Sequence, residues 1–169
     1  MKSDKGMALE EDIYDDDEDT QRDKYLSFRI GSEDFAMEIA NVTEIVGIQK
    51  ITEVPEVPAY VRGVINLRGR VIPVIDVRLR FKMNERSYDD RTCVVVVNIQ
   101  DTVAGLIVDT VNEVLTIPES QISLPSAIKR GVESNYIRGM GKSGDSVKIL
   151  LDVHKMLDAS ALASVESAA

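Results

Sequence analysis

From Tyr25 onward apolar and polar positions alternate with a period of two. Leu26, Phe28 and Ile30 alternate with Ser27 and Arg29, a turn follows at Gly31-Ser32, and Phe35, Met37 and Ile39 resume the pattern. Side chains two apart share one face of a strand, so this stretch predicts strand, turn and strand. Pro55 and Pro58 break the chain before a second hairpin, in which Val64 to Leu67 and Val71 to Ile75 flank a turn at Arg68-Gly69. The scheme recurs downstream. Cys93 to Ile99 and Val103 to Val108 flank Gln100-Asp101, and Tyr136 to Gly141 and Val147 to Leu151 flank Lys142 to Asp145. Helical pattern is confined to single turns, Val77 to Phe81 and Val153 to Leu157. Each follows an aspartate, Asp76 or Asp152, whose carboxylate suits a helix N-cap.

The recurrence is an internal repeat. A shift of 69 residues lays Tyr25 to Val46 over Val94 to Leu115, placing Ile30 on Ile99, Val42 on Val111 and Glu44 on Glu113. A shift of 76 lays Arg62-Gly63 over Arg138-Gly139, Val71 over Val147 and Ile75-Asp76-Val77 over Leu151-Asp152-Val153. Each half then holds about five short strands, too many for so small an open sheet to leave its edges safely exposed. The expected fold is mainly β: two small five-stranded barrels in tandem, residues 25–91 and 92–158. A single ten-stranded sandwich is the competing architecture.

Composition changes the picture at the ends. Residues 1–24 carry ten acids against four bases, so the tail holds -6 of the chain's net charge of -9. Five consecutive acids run from Asp15 to Asp19, and no apolar periodicity accompanies them. The segment is expected to be a disordered acidic tail, and residues 159–169 a flexible one. Asp15, Asp17 and Asp19 have calcium-loop spacing, but Thr20 stands where the turn glycine belongs and Leu26 where the closing glutamate belongs. The acidic balance argues against nucleic acid, whose binders neutralise phosphates with a clustered basic face. No run approaches the roughly 20 apolar residues that span a bilayer, and the N-terminus lacks the basic-then-apolar order of a secretory signal. One cysteine, Cys93, excludes an internal disulfide and fits a reducing compartment, so the expected location is cytoplasmic.

Candidate chemistry is sparse. Gly139-Met140-Gly141-Lys142-Ser143-Gly144 satisfies G-x-G-x-x-G, which would make a small nucleotide-binding enzyme the alternative function. Both that motif and the phosphate loop hold phosphate on the amides of a helix N-terminus, whereas these glycines lead into an apolar strand, so the segment reads as a hairpin turn. His154 is the sole histidine and has no local nucleophile pattern. Metal ligation fails for want of soft ligands, and no cofactor is expected. Glu44, Asp76, Asp109, Glu113 and Asp152 are scattered carboxylates without a recognisable pairing.

The run Gly63-Val64-Ile65-Asn66-Leu67-Arg68-Gly69-Arg70-Val71-Ile72-Pro73-Val74-Ile75-Asp76-Val77 closely resembles the signature of the CheW family of chemotaxis coupling proteins. Supporting matches are Phe35 to Ile39 followed by Val42 and Glu44-Ile45, Ala104 to Asp109, and Tyr136 to Gly139 followed by Ile149 to Asp152. The resemblance covers about residues 23 to 158. It implies two SH3-like five-stranded barrels side by side and a non-catalytic scaffold joining methyl-accepting chemotaxis receptors, at their cytoplasmic tips, to the regulatory domain of the histidine kinase CheA. It further implies that Glu44 and Ile45 meet the kinase. Val42, Cys93, Val114 and the turn residue Arg68 would then lie in or near a receptor groove between the barrels. Two features depart from the family pattern: the acidic tail, and cysteine where a branched aliphatic residue is expected at position 93.

Overall fold

The structure, a computed structural model, describes residues 21–123 and 136–157. The acidic run with its calcium-like spacing and the C-terminal tail lie outside the described residues.

Alternation produces strands where it was expected. β1 (Lys24–Ile30) and β2 (Glu33–Glu38) form a hairpin in which Phe28 lies opposite Phe35. A 3-10 turn at Ile39–Asn41 leads into β3 (Val42–Gly47). β4 (Val61–Leu67) and β5 (Arg70–Asp76) pair about the two-residue turn Arg68-Gly69, where φ is 54° and 86°. Two left-handed residues in succession match the twist of a tight hairpin. Helix α1 (Val77–Arg80) follows, started by the Asp76 carboxylate, which accepts from the Leu79 amide at 3.3 Å. In the second half β6 (Cys93–Ile99), β7 (Thr102–Val108) and β8 (Thr110–Thr116) precede the short β9 (Ile122–Ser123). β10 (Ile137–Ser143), β11 (Ser146–Leu151) and α2 (Val153–Met156) complete it, with Asp152 accepting from the Lys155 amide at 3.3 Å.

The strands form two sheets with the orders β8-β1-β2-β11-β10-β9 and β3-β6-β7-β5-β4. These are the two SH3-like barrels of the expected mainly β fold, but each is assembled from both halves of the sequence. The hairpin β1-β2 inserts between β8 and β11 of the second half, and its repeat counterpart β6-β7 inserts between β3 and β5 of the first. The parallel contacts β2 with β11 and β5 with β7 seal the exchange. The division between residues 91 and 92 therefore does not separate the sheets. Period-two patterning marks a strand and its faces but carries no information about which neighbour it hydrogen-bonds.

Exchange explains why several strands are apolar on both faces. In β6, Val95, Val97 and Ile99 join a large cluster drawn from both sheets, with Leu26, Phe28, Phe35, Met37 and Leu106, while Val94 and Val96 join a cluster within the five-stranded sheet. A smaller cluster, Tyr25, Ala36, Ile117 and Leu150, fills the six-stranded sheet. Aromatic rings cross the shared core in sequence: Phe28, Phe35, Phe81 and Tyr136, with centroids 5.9, 5.5 and 6.0 Å apart. Arg80 lies between the Tyr60 and Tyr136 rings at 4.2 and 4.8 Å and donates from Nε to the Met156 carbonyl at 2.8 Å, tying α1 to α2.

Candidate functional site

The edge strand β3 carries three of the six expected docking residues, and a bulge decides where they point. Its register against β6 shifts between Val42 and Glu44, with Thr43 Oγ1 donating to the Val96 carbonyl at 3.1 Å. Val42 then lies opposite Val97 and Ile45 opposite Val95, both facing the shared core, while Glu44 lies opposite Val96 and turns to the other side. Val42 is half-buried against the core, and Ile45 stays 42% exposed beyond its rim.

Glu44 meets Arg68. The guanidinium reaches from the β4–β5 turn and forms a charge-assisted hydrogen bond with the Glu44 carboxylate. That hydrogen bond holds the Glu44 carboxyl below its ordinary pKa and raises that of Arg68. Arg68 adopts φ of 54°, a region where asparagine or glycine is the usual occupant, so the side chain is kept at some backbone cost. Asn66 supports the turn, its Oδ1 accepting from the Gly69 amide at 2.8 Å. The structure thus joins two residues assigned above to different partners.

The remaining two stand apart. Cys93 opens β6 opposite Val108, half-buried against the shared core, with Sγ 3.3 Å from the Arg91 carbonyl. Val42 and Cys93 share one face of the five-stranded sheet but stand at opposite ends of the β3–β6 pair. Val114 belongs to the other sheet, on edge strand β8 opposite Leu26, and is 50% exposed. It is the repeat counterpart of Ile45, placed by a matching register shift in β8 near Asn112.

Sequence reasoning passed over Arg70, Thr43 and Asn98, which line the mouth of the five-stranded sheet together with Glu44 and Arg68. The signal was present: an arginine on either side of Gly69 puts two cations at one hairpin end. Asp109, unassigned from sequence, is a structural centre that accepts from Arg78, Arg86 and the Gly31 amide.

The glycine-rich segment is a hairpin. Gly139 and Gly141 lie inside β10, and Ser143 pairs with Ser146 across a two-residue turn. A Cβ on Gly139 would stand 2.6 Å from the Ser123 carbonyl oxygen, and one on Gly141 would stand 2.8 Å from Ile117 Cδ1. Close packing accounts for these glycines, and no helix N-terminus follows them. His154 is exposed on α2. Among the described residues no cluster of His, Cys, Asp or Glu could hold a metal, and no helix is long and apolar enough to cross a membrane.

Comparison with known proteins gives a consistent result. A family model described as the CheW-like domain matches residues 24–161. The chemotaxis protein CheW of Klebsiella aerogenes is 34% identical over 151 residues, covering 89% of this chain and 91% of that protein. CheW of Helicobacter pylori is 36% identical over 135 residues, covering 79% and 81%. Among solved structures, the scaffolding protein TtCheW from Thermoanaerobacter tengcongensis superposes with a TM-score of 0.75 at 34% identity, covering 80% of this chain and 92% of that one.

Proposed function

The chain belongs to the CheW-like family, a family of scaffolds and not of enzymes, and from that premise we propose that it couples chemoreceptors to a histidine kinase. It works in the cytoplasm, recruited to receptor arrays at the membrane. The observation that carries this reading is the pair of exposed edge strands, β3 and β8, each presenting one aliphatic residue beside a carboxylate: Ile45 with Glu44, and Val114 with Glu113. An aliphatic anchor inside a polar rim suits a small, reversible protein interface.

In this reading Glu44 and Ile45 meet the regulatory domain of CheA. Val42, Cys93, Val114 and Arg68 border the surface that takes the helical hairpin tip of a methyl-accepting receptor. Val42 and Cys93, at the rim of the shared core, offer the apolar floor that helix-in-groove recognition needs. The two patches adjoin at the Glu44–Arg68 pair but are different surfaces, which permits head-to-tail assembly, whereas one self-complementary patch would stop at a dimer.

Reconstitution tests the proposal. Kinase and a receptor tip fragment are combined with and without this protein, and kinase autophosphorylation is followed. Receptor-dependent activity that requires the added chain supports the reading. Kinase activity indifferent to the chain overturns it.

A further inference from the structure

The mouth of the five-stranded sheet has an apolar floor and an excess of positive charge at its rim. Leu67, Ile72 and Val103 line the floor, while Arg68, Arg70 and Glu44 stand around it. Arg68 is engaged by Glu44, but Arg70 makes no ion pair among the described residues. One guanidinium is therefore left at an opening whose floor is apolar. A partner that completes this site brings an apolar side chain flanked by carboxylates.

The chain carries such a segment. Leu9-Glu10-Glu11-Asp12-Ile13-Tyr14 sets three apolar residues among three acids, and Asp15 to Asp19 continue the charge. It precedes residues 24–161, which the CheW-like model matches. Leu9 is twelve residues ahead of Gln21, where the described chain starts. At about 3.4 Å per residue that stretch reaches about 40 Å. Gln21 and Ala40 line one pocket, and Thr43 at the mouth follows Ala40 by three residues, so the mouth is within that reach.

We propose that the mouth formed by Arg68, Arg70 and their apolar floor is a docking site for an acidic, apolar peptide, and that the chain's own Leu9 to Asp19 segment occupies it in the free protein. Attachment to the same chain supplies a high effective concentration, so weak contacts suffice. Because Glu44 stands at the same rim, an occupied mouth and a partner docked on Glu44 exclude each other.

Photo-cross-linking of the full chain tests this. Benzoylphenylalanine replaces Leu9 in one protein and Tyr14 in another, and adducts are mapped by peptide mass analysis after irradiation. The expected result is an intramolecular adduct on residues 67–72 or 96–103 from at least one probe. It falls severalfold when ionic strength rises from about 0.05 to about 0.5 M, since exposed charges are then screened. It also falls severalfold in Arg70→Glu and, independently, when Asp15 to Asp17 and Asp19 become Asn and Glu18 becomes Gln. Circular dichroism checks that these variants remain folded. Adducts elsewhere, adducts that join two chains, or mouth adducts indifferent to salt and to both variants overturn the proposal. The cross-link reads the tail alone, so its failure leaves the kinase reading standing, and failure of the kinase reading leaves the cross-link result intact.

Discussion

Replacing Asp109 by Asn should be the most damaging single isosteric change outside the apolar core. Its side chain is 10% exposed, and Oδ1 accepts from Arg78 Nε at 2.8 Å. Oδ2 accepts from Arg78 Nη2 at 2.6 Å, Arg86 Nη1 at 2.9 Å and the Gly31 amide at 2.7 Å. These bonds bind α1 and the β7–β8 junction to the β1–β2 turn, and so join the two sheets. The Arg78 side chain is 15% exposed, so Asn leaves a largely buried guanidinium without a counter-charge. Breaking one partner of a buried pair costs about 3–5 kcal/mol. Arg86 is half exposed and contributes little, and Asn keeps one carbonyl oxygen as acceptor, so the lower end of about 3 kcal/mol applies. For a domain of this size that lowers Tm by roughly 6–12 °C.

Acid dependence gives a sharper check. Burial alone would raise the Asp109 pKa, but hydrogen bonds from Arg78, the Gly31 amide and Arg86 outweigh it and hold the carboxyl below its usual range. A depressed folded-state pKa contributes stability that is complete above the unfolded value of about 3.9 and is lost as pH falls through the folded value. Urea denaturation of the two proteins should therefore differ most at pH 7 and converge below about pH 4. A difference under about 1 kcal/mol at pH 7, or one that does not change with pH, refutes this account of the site.

The exposed Glu44–Arg68 ion pair calls for a charge swap that tests the proposed function. Arg68→His should weaken receptor coupling and Glu44→Lys should weaken kinase binding, each with an unchanged thermal melt. Glu44→Arg combined with Arg68→Glu should restore both if the pair serves to position the turn, and binding measured by calorimetry would show no recovery if each residue touches its own partner. Because the sheets exchange hairpins, chains 21–91 and 92–157 should each lack a cooperative melt alone and gain one on mixing, read by circular dichroism; a cooperative melt of either half alone contradicts the exchange. Gly139→Ala should cost about 1–3 kcal/mol through overpacking against the Ser123 carbonyl. Calorimetry with ATP and NAD should be flat before and after that change, and saturable binding would restore the nucleotide reading.

Hairpins were legible in the sequence because each carries its own alternation and its own turn. β3 and β8 were not read directly, although the repeat count of five strands per half required something there. Their bulges explain this: Thr43 and Asn112 each insert a residue, so Val42 and Ile45, or Val111 and Val114, share a face at a spacing of three instead of two. A spacing of three mimics a helix and hides an edge strand from a period-two reading. Pairing was equally hidden, since the parallel contacts of β2 with β11 and β5 with β7 join residues far apart in the chain. The ion pair between Glu44 and Arg68 depends on both the bulge and the exchange, and neither residue announces the other.

The repeat also locates where the two halves diverge in use. Among the described residues, the four exposed large hydrophobics fall into repeat pairs, Ile45 with Val114 and Val71 with Val147, so the scaffold presents similar apolar points on each barrel. Charge breaks the equivalence. Glu44 has the counterpart Glu113, but Arg68 corresponds to Gly144, which bears no side chain, and Glu113 forms no ion pair among the described residues. Glycine at that turn accepts a positive φ without strain, at 59°, whereas Arg68 accepts 54° at a cost. The strands supply two nearly interchangeable faces, and one turn residue held against its backbone preference makes them different. A partner that distinguishes the barrels reads that turn, so Gly144→Arg is expected to create a second Glu–Arg pair and to draw the partner of the first barrel onto the second. A binding stoichiometry that stays at one in that variant would show that the arginine is not what the partner recognises.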